Sequence, residues 1–320
     1  MSGVRVNHDQ VERFAEFLPG LGTVSAFDFC SGGEGVLFPA AGARGALEAF
    51  FFNAAHQFGF WYLKEGRYER PMIARGGGVM RKGSDFLFFC TQRALSRDPD
   101  LFQPARLGGM SDAECSAMFE DDEGNNPLPM WKEHLRILRE YAEWFVRGGT
   151  TPRKLVDVAA GSEKPLATLL ELLREVPGYR EDRLQKKAML LAIILENRPE
   201  RFLRVTDGES AVPIIDYHLQ RSALRTGLVE VTEDWLRGRL ERREEVAGGD
   251  EAAVREATYE AVERLVKESG LSVAAVDYFF FTNRTRCPEM SEPDCPACPV
   301  ASICARRVDL FQPVYRTEAY

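Results

Sequence analysis

Arg286-Cys287-Pro288-Glu289-Met290-Ser291-Glu292-Pro293-Asp294-Cys295-Pro296-Ala297-Cys298-Pro299-Val300-Ala301-Ser302-Ile303-Cys304 decides how the chain is read. Four thiols stand in it with the spacing C-x7-C-x2-C-x5-C. Thiolates this closely set can wrap an iron–sulfur cubane without ligands from elsewhere in the fold. Pro288, Pro293, Pro296 and Pro299 stiffen the loop and lower the entropy lost when the thiolates converge. Zinc is the alternative metal, but zinc knuckles present two tight pairs, and here only Cys295-x-x-Cys298 is tight. The spacing therefore predicts a 4Fe–4S cluster on Cys287, Cys295, Cys298 and Cys304. Cys30, Cys90 and Cys115 are scattered singly and read as buried free thiols. In an intracellular chain such a cluster points to metal and not to disulfides.

Outward from the loop, the sequence reads as helices. Ala46 to Phe60 is apolar enough for a buried helix, and Ser111-Asp112-Ala113-Glu114 has the form of a capping box. Trp131 to Val146 places Trp131, Leu135, Leu138, Ala142 and Phe145 at helical spacing. Pro165 to Val176, Arg183 to Glu196 and Glu251 to Glu268 follow the same period, and Ile214 to Thr226 and Val273 to Thr282 are shorter and apolar on one face. Strand patterns are nearly absent, Gly77 to Arg81 being the best candidate. Ser31 to Gly45, Gly66 to Gly78 and Gly124 to Pro129 read as loops.

Val212-Pro213-Ile214-Ile215-Asp216-Tyr217-His218-Leu219-Gln220-Arg221 puts an acid at the start of an apolar helix. One reading is an N-terminal cap, accepting from the first-turn amides. The other is a catalytic carboxylate held at that helix end.

Both segments resemble parts of known enzymes. The thiol loop resembles the C-terminal cluster loop of endonuclease III and its relatives, whose first spacing is six residues. In that family the cluster is mainly structural and supports a loop near DNA. Asp216, His218 and Arg221 resemble the acid, histidine and arginine of its D-T-H-x-x-R segment, which precedes the cluster loop in the same order. Tyr217 departs from that pattern and is similar to the D-Y-R of archaeal 8-oxoguanine glycosylases and of queuosine-salvage nucleotide hydrolases. The resemblance implies an all-α, two-lobed helical fold of the helix-hairpin-helix (HhH-GPD) glycosylase type with a C-terminal iron–sulfur cluster loop. It also implies that Asp216 stabilises the positive charge left on a sugar when its base departs, or activates water. His218 reads as a supporting residue, since two positions along a helix turn it away from the acid.

In bifunctional glycosylases a lysine within L-P-G-x-G-x-K-T-A forms a Schiff base. Val176-Pro177-Gly178-Tyr179 begins similarly, but Arg180-Glu181-Asp182-Arg183-Leu184-Gln185 intervenes before Lys186-Lys187-Ala188, and the second glycine is missing. Hairpin glycines let backbone amides approach a DNA phosphate, so this hairpin departs from the pattern where grip matters. Lys186-Lys187 resembles the K-T of the archaeal group, with Lys186 thirty residues before Asp216. Lys186 is the nucleophile candidate and Lys187 the second; the plain alternative is a solvated helix residue.

Ala54-Ala55-His56-Gln57-Phe58-Gly59-Phe60-Trp61-Tyr62 mixes aromatic and polar groups. It reads either as a core helix or as a base pocket, with Trp61 or Phe58 stacking and Gln57 or His56 reading a base edge. It resembles the N-F-x-F-W segment of the queuosine-salvage hydrolases, and Gln92-Arg93-Ala94-Leu95 resembles their R-A.

Composition bounds these readings. The chain has 320 residues, 45% hydrophobic and 28% charged, which describes a globular protein. No apolar run reaches the roughly 18 residues of a membrane span, and no secretory pattern opens the sequence, so a cytoplasmic monomer is expected. A net charge of −8 weighs against duplex DNA held by phosphate neutralisation. Residues 1–149 are expected to form an N-terminal lobe, 150–283 a lobe with the degenerate hairpin and the acid, and 284–320 the cluster loop and tail.

The leading expectation is a DNA glycosylase of base excision repair, cleaving the base–sugar bond of a modified base flipped from DNA, with strand cleavage if Lys186 is a nucleophile. The alternative is a queuosine-salvage type N-glycosidase acting on a free modified nucleotide. A third reading is a non-catalytic iron–sulfur protein that binds nucleic acid.

Overall fold

Residues 3–22, 27–30 and 37–320 are described by the computed structural model. Positions 31–36 of the expected loop Ser31–Gly45 lie outside the described residues. In chain order come β1 (Val4–Val6), α1 (His8–Phe17), a 3-10 turn (Leu18–Leu21) and α2 (Ala46–Ala55). Four short strands follow: β2 (Trp61–Lys64), β3 (Arg67–Pro71), β4 (Ile73–Gly76) and β5 (Val79–Lys82). Then α3 (Gly83–Arg97), α4 (Pro104–Gly108), α5 (Asp112–Ala117), α6 (Trp131–Arg147), α7 (Pro152–Ala160), α8 (Pro165–Leu173) and α9 (Lys186–Asn197) lead to a second 3-10 turn, Gly208–Ser210. The order ends with α10 (Tyr217–Thr226), β6 (Val229–Val231), α11 (Asp234–Glu241), α12 (Gly248–Ser269) and α13 (Val273–Asn283). The chain is mostly helical, as the periodicity predicts.

Two segments differ from expectation. The helix read over Ala46–Phe60 stops at Ala55. Gly59 turns the chain at φ +70°, and the Phe60 carbonyl then accepts from the Met72 amide at 2.8 Å. The loop read over Gly66–Gly78 contains β3 and β4. β4 pairs antiparallel with β5, from Ile73↔Lys82 to Gly76↔Val79. The turn between them is Gly77-Gly78, both at positive φ (62° and 79°), the geometry a two-residue hairpin requires. Strands of four or five residues carry too little alternation to register in a sequence reading.

The chain divides into two compact units, each assembled from separated stretches of sequence. The first comprises Met1–Ala26, Leu63–Arg70 and Val212–Arg316; the second comprises Phe27–Tyr62, Pro71–Ala211 and Thr317–Tyr320.

In the first unit α12 packs against α1, α10 and α13. Val11 and Phe14, Leu219 and Leu224, Val254, Val262 and Leu265, and Val276 and Phe280 meet in one buried cluster. β1 and β6 close its side, with Val4↔Val231 and Val6↔Val229 in register. In the second unit every residue of α2 is buried, the mark of a helix enclosed on all sides. Burying Phe50, Phe51 and Phe52 contributes about 1.5–3 kcal/mol each. α2 packs against α9 and α3, and the Tyr179 hydroxyl donates to the Phe51 carbonyl at 2.6 Å. Gly178 is required there: it sits at φ +92°, and a Cβ would lie 2.6 Å from that of Ala55.

Candidate functional site

In the first unit α10 starts at Tyr217 with Asp216 immediately before it, as the capping reading anticipates. The Asp216 Oδ1 accepts from the Leu219 amide at 3.0 Å, so the residue is the N-cap. Its other oxygen takes no hydrogen bond from the described residues and remains available. The backbone is fixed from behind, because the buried Arg255 of α12 donates Nε and Nη2 to the Ile215 carbonyl at 3.2 and 3.1 Å. Tyr217 is buried with its ring 4.1 Å from that of His218; burial first, then the charge of Asp216, raises its hydroxyl pKa.

The face of α10 carrying His218, Arg221 and Arg225 turns to the thiol loop. His218 Nδ1 and Arg221 Nη2 lie 3.4 and 3.6 Å from the same oxygen of Glu289. Arg221 also donates to the Gln312 side-chain oxygen at 2.9 Å. One helical stretch further, Arg225 donates to the Pro288 carbonyl at 2.8 Å, to the Leu310 carbonyl at 2.9 Å and to the Cys287 sulfur at 3.3 Å. The segment after Cys304 caps the helix's end. Ala305 and Arg307 amides donate to the Thr226 and Arg225 carbonyls at 3.1 and 3.0 Å, satisfying groups a helix terminus leaves open. Gly227 allows that approach: at φ +83°, a Cβ there would come within 2.7 Å of the Ala305 Cβ.

Cys287, Cys295, Cys298 and Cys304 line one pocket. Three N–H donors address their sulfurs: Arg225 on Cys287 at 3.3 Å, Asn283 on Cys298 at 3.4 Å and the Arg306 amide on Cys304 at 3.3 Å. Burial raises the Cys304 thiol pKa; the Arg306 amide opposes it, and the other three cysteines add to the rise. Among the described residues no group of three or more His, Cys, Asp or Glu side chains is placed to hold a metal ion.

The second unit holds the lysines. Both are buried, which corrects the solvated-helix alternative. Lys186 donates to the Gln57 carbonyl at 3.0 Å, and Lys187 to the Glu318 carbonyl at 2.8 Å. Burial lowers the Lys187 ammonium to about 8. His56, Gln57, Phe58 and Trp61 are buried as well. The ring of Phe58 stacks on His134 at 4.0 Å, with the Lys187 ammonium 5.3 Å from its centroid. His56 and His134 share an Nδ1–Nδ1 contact of 3.1 Å, and burial pulls both well below the usual imidazole range. Gln57 donates to Asn53 at 2.7 Å. The stretch is thus buried, with Phe58 stacked on His134.

The degenerate hairpin is closed by its own acids. The Gly178 amide donates to Glu181 Oε2 at 2.7 Å, and the Lys187 amide, in the first turn of α9, donates to Asp182 Oδ2 at 3.0 Å. Reading the sequence missed Glu181, Asp182, Glu289, Arg255 and His134. The one available signal was the spacing of His218, Arg221 and Arg225, which puts three basic side chains on one face of α10.

A family model described as queuosine salvage protein matches residues 44–281, more than half of the chain. The matched span includes Lys186, Lys187 and Asp216 and ends before Cys287. No curated protein matches the chain. Among solved structures, a trapped endonuclease III–DNA covalent intermediate with an estranged adenine aligns at a TM-score of 0.45 and 12% identity, covering 93% of this chain and 94% of that one. No helix among the described residues is long and apolar enough to cross a membrane.

Proposed function

The chain belongs to the queuosine salvage protein family, and from that premise we propose that it is an N-glycosidase acting on a free modified nucleotide of the queuosine type. The observation that carries the choice of a free nucleotide over DNA is the bond from the Gly178 amide to Glu181. A hairpin that grips DNA offers its amides to a phosphate. Here a carboxylate occupies that amide and a second one occupies the first turn of α9, so a phosphate would meet like charge. The net charge of −8 agrees.

In this reading Asp216 is the catalytic carboxylate. Its Oδ1 is committed to the Leu219 amide, which orients the free Oδ2. Negative charge there stabilises the cation developing on the sugar as the base leaves, and the same oxygen orients or deprotonates the attacking water. Arg255 and the first turn of α10 hold the acid in place, so little reorganisation accompanies the reaction.

Cys287, Cys295, Cys298 and Cys304 are the ligands we assign to a 4Fe–4S cluster; what supports this is their common pocket and the three N–H donors on sulfur. When bound, the cluster supplies a cross-link that holds the loop against α10. These residues lie beyond the family match, so the loop is an addition to the matched span.

A second reading, a glycosylase acting on a modified base in DNA, is favoured by the same thiol loop, with Lys186 as nucleophile. The deciding experiment compares base release from queuosine phosphate and from an oligonucleotide carrying the modified base. Release from the mononucleotide alone is expected. Release from the oligonucleotide alone, or a borohydride-trapped adduct on abasic DNA, would reverse the assignment.

A further inference from the structure

We infer that Glu289 is a positioning residue for Asp216: through it the thiol loop fixes the first turn of the helix that presents the acid. The effect on turnover rests on the N-glycosidase reading; the effect on the helix does not. Glu289 is a carboxylate only 7% exposed, and Arg221 beside it is 1% exposed. Neither is stable there alone, since a buried charge needs its partner. One oxygen of Glu289 faces both His218 Nδ1 at 3.4 Å and Arg221 Nη2 at 3.6 Å, and those two side chains are 3.1 Å apart.

The sequence positions give this contact its consequence. His218 and Arg221 bracket Leu219, whose amide holds Asp216 Oδ1 at 3.0 Å. The turn that Glu289 grips is therefore the turn that orients the acid. Arg255 fixes the peptide before Asp216 by its bonds to the Ile215 carbonyl. Glu289 fixes the turn after it. With one restraint removed, the turn can pivot about the other and swing Oδ2. His218 gains a role here that its place two residues from the acid does not suggest: it supports the turn without touching the substrate.

Glu289→Gln in the full chain tests this, because the amide keeps the size and one acceptor oxygen while losing the charge. Two readouts are used. With queuosine phosphate as substrate, kcat is expected to fall on the order of 10²-fold, the loss a small misplacement causes, while KM stays within about twofold. Combining Glu289→Gln with Arg221→Gln should cost no more than the worse single variant, as expected of residues in one network. Hydrogen exchange at the Leu219 amide reads the same turn without substrate. It should quicken at least about tenfold while the Leu265 amide, in the core of the same unit, stays unchanged.

Unchanged exchange at Leu219 overturns the inference, as does equal quickening at Leu265, which would mean general loosening. Multiplicative losses in the double variant overturn it too, and so does loss of bound iron from Glu289→Gln, which would assign the residue to metal retention. A wild-type chain inactive on queuosine phosphate, with Leu219 exchange still responding, would sink the reaction and leave the positioning role standing.

Discussion

Arg225 donates from Nη1 to the sulfur of Cys287 at 3.3 Å, joining the last turn of the Asp216 helix to the first thiol of the loop. The same buried guanidinium serves the Pro288 and Leu310 carbonyls. Arg225→Leu would leave both carbonyls unpaired, at about 1–3 kcal/mol each, and would strip the sulfur of its cationic donor. A lower urea midpoint and less iron per chain after anaerobic purification are expected. Arg225→Lys, which keeps the charge but not the fork, should fall between. Wild-type iron content and midpoint in the leucine variant would show that the contact is idle.

The Glu181 carboxylate on the Gly178 amide predicts feeble, weakly salt-dependent binding to duplex DNA. Each phosphate neutralised adds about −0.9 to the slope of log K against log salt. A chain without a hairpin grip should give a slope shallower than about −2. Fluorescence anisotropy between low and moderate salt measures it. A steep slope would place a basic phosphate-binding surface elsewhere on the molecule and favour the DNA reading.

How far these features were readable in the sequence depends on how local their causes are. The Ser111–Glu114 capping box and the Trp131 helix are set by side chains a few residues apart, and both form as read. Helix α2 stops early because Gly59 turns into a hairpin whose partner, Met72, is distant in sequence. That the four thiols share one pocket was legible, because they stand close together in the sequence. Glu289 was not: its partners His218 and Arg221 stand about seventy residues earlier, and nothing in the loop marks its carboxylate as buried. Lys187 read either as a second nucleophile candidate or as a solvated residue, because the helix it opens is apolar on every side and has no polar face to fix its direction.

Burial of Lys187 makes stability depend on alkaline pH. Its ammonium titrates at about 8 in the folded chain against the ordinary 10.5. Between those values the unfolded chain binds the extra proton, so stability rises with pH across that window. Below about 8 the whole penalty is present, on the order of 3 kcal/mol. Buried tyrosines act in the opposite sense at high pH, so the quantity to measure is a difference. Urea unfolding of wild type and Lys187→Met from pH 8 to 10.5 should show the rise in wild type and its absence in the variant. Parallel curves would mean that the amine reaches water.

Asp216 is the N-cap of α10 and, in the proposed reaction, its catalytic carboxylate; two substitutions separate the two roles. As N-cap it accepts from the Leu219 amide, a role that asparagine fills about as well as aspartate. Asp216→Asn should therefore keep thermal stability near that of wild type. Its carbonyl oxygen lacks the charge that opposes a developing sugar cation, so base release should fall by 10² to 10⁴-fold, the range attributed to one acid–base group. Asp216→Ala removes cap and charge together, and should cost about 1 kcal/mol of stability in addition to the lost activity. The pair matters more than either member, because inactivity in the alanine variant alone could follow from a frayed helix. An asparagine variant that folds and still releases base at the wild-type rate would reduce Asp216 to a cap, and the carboxylate chemistry would have to be sought on another residue.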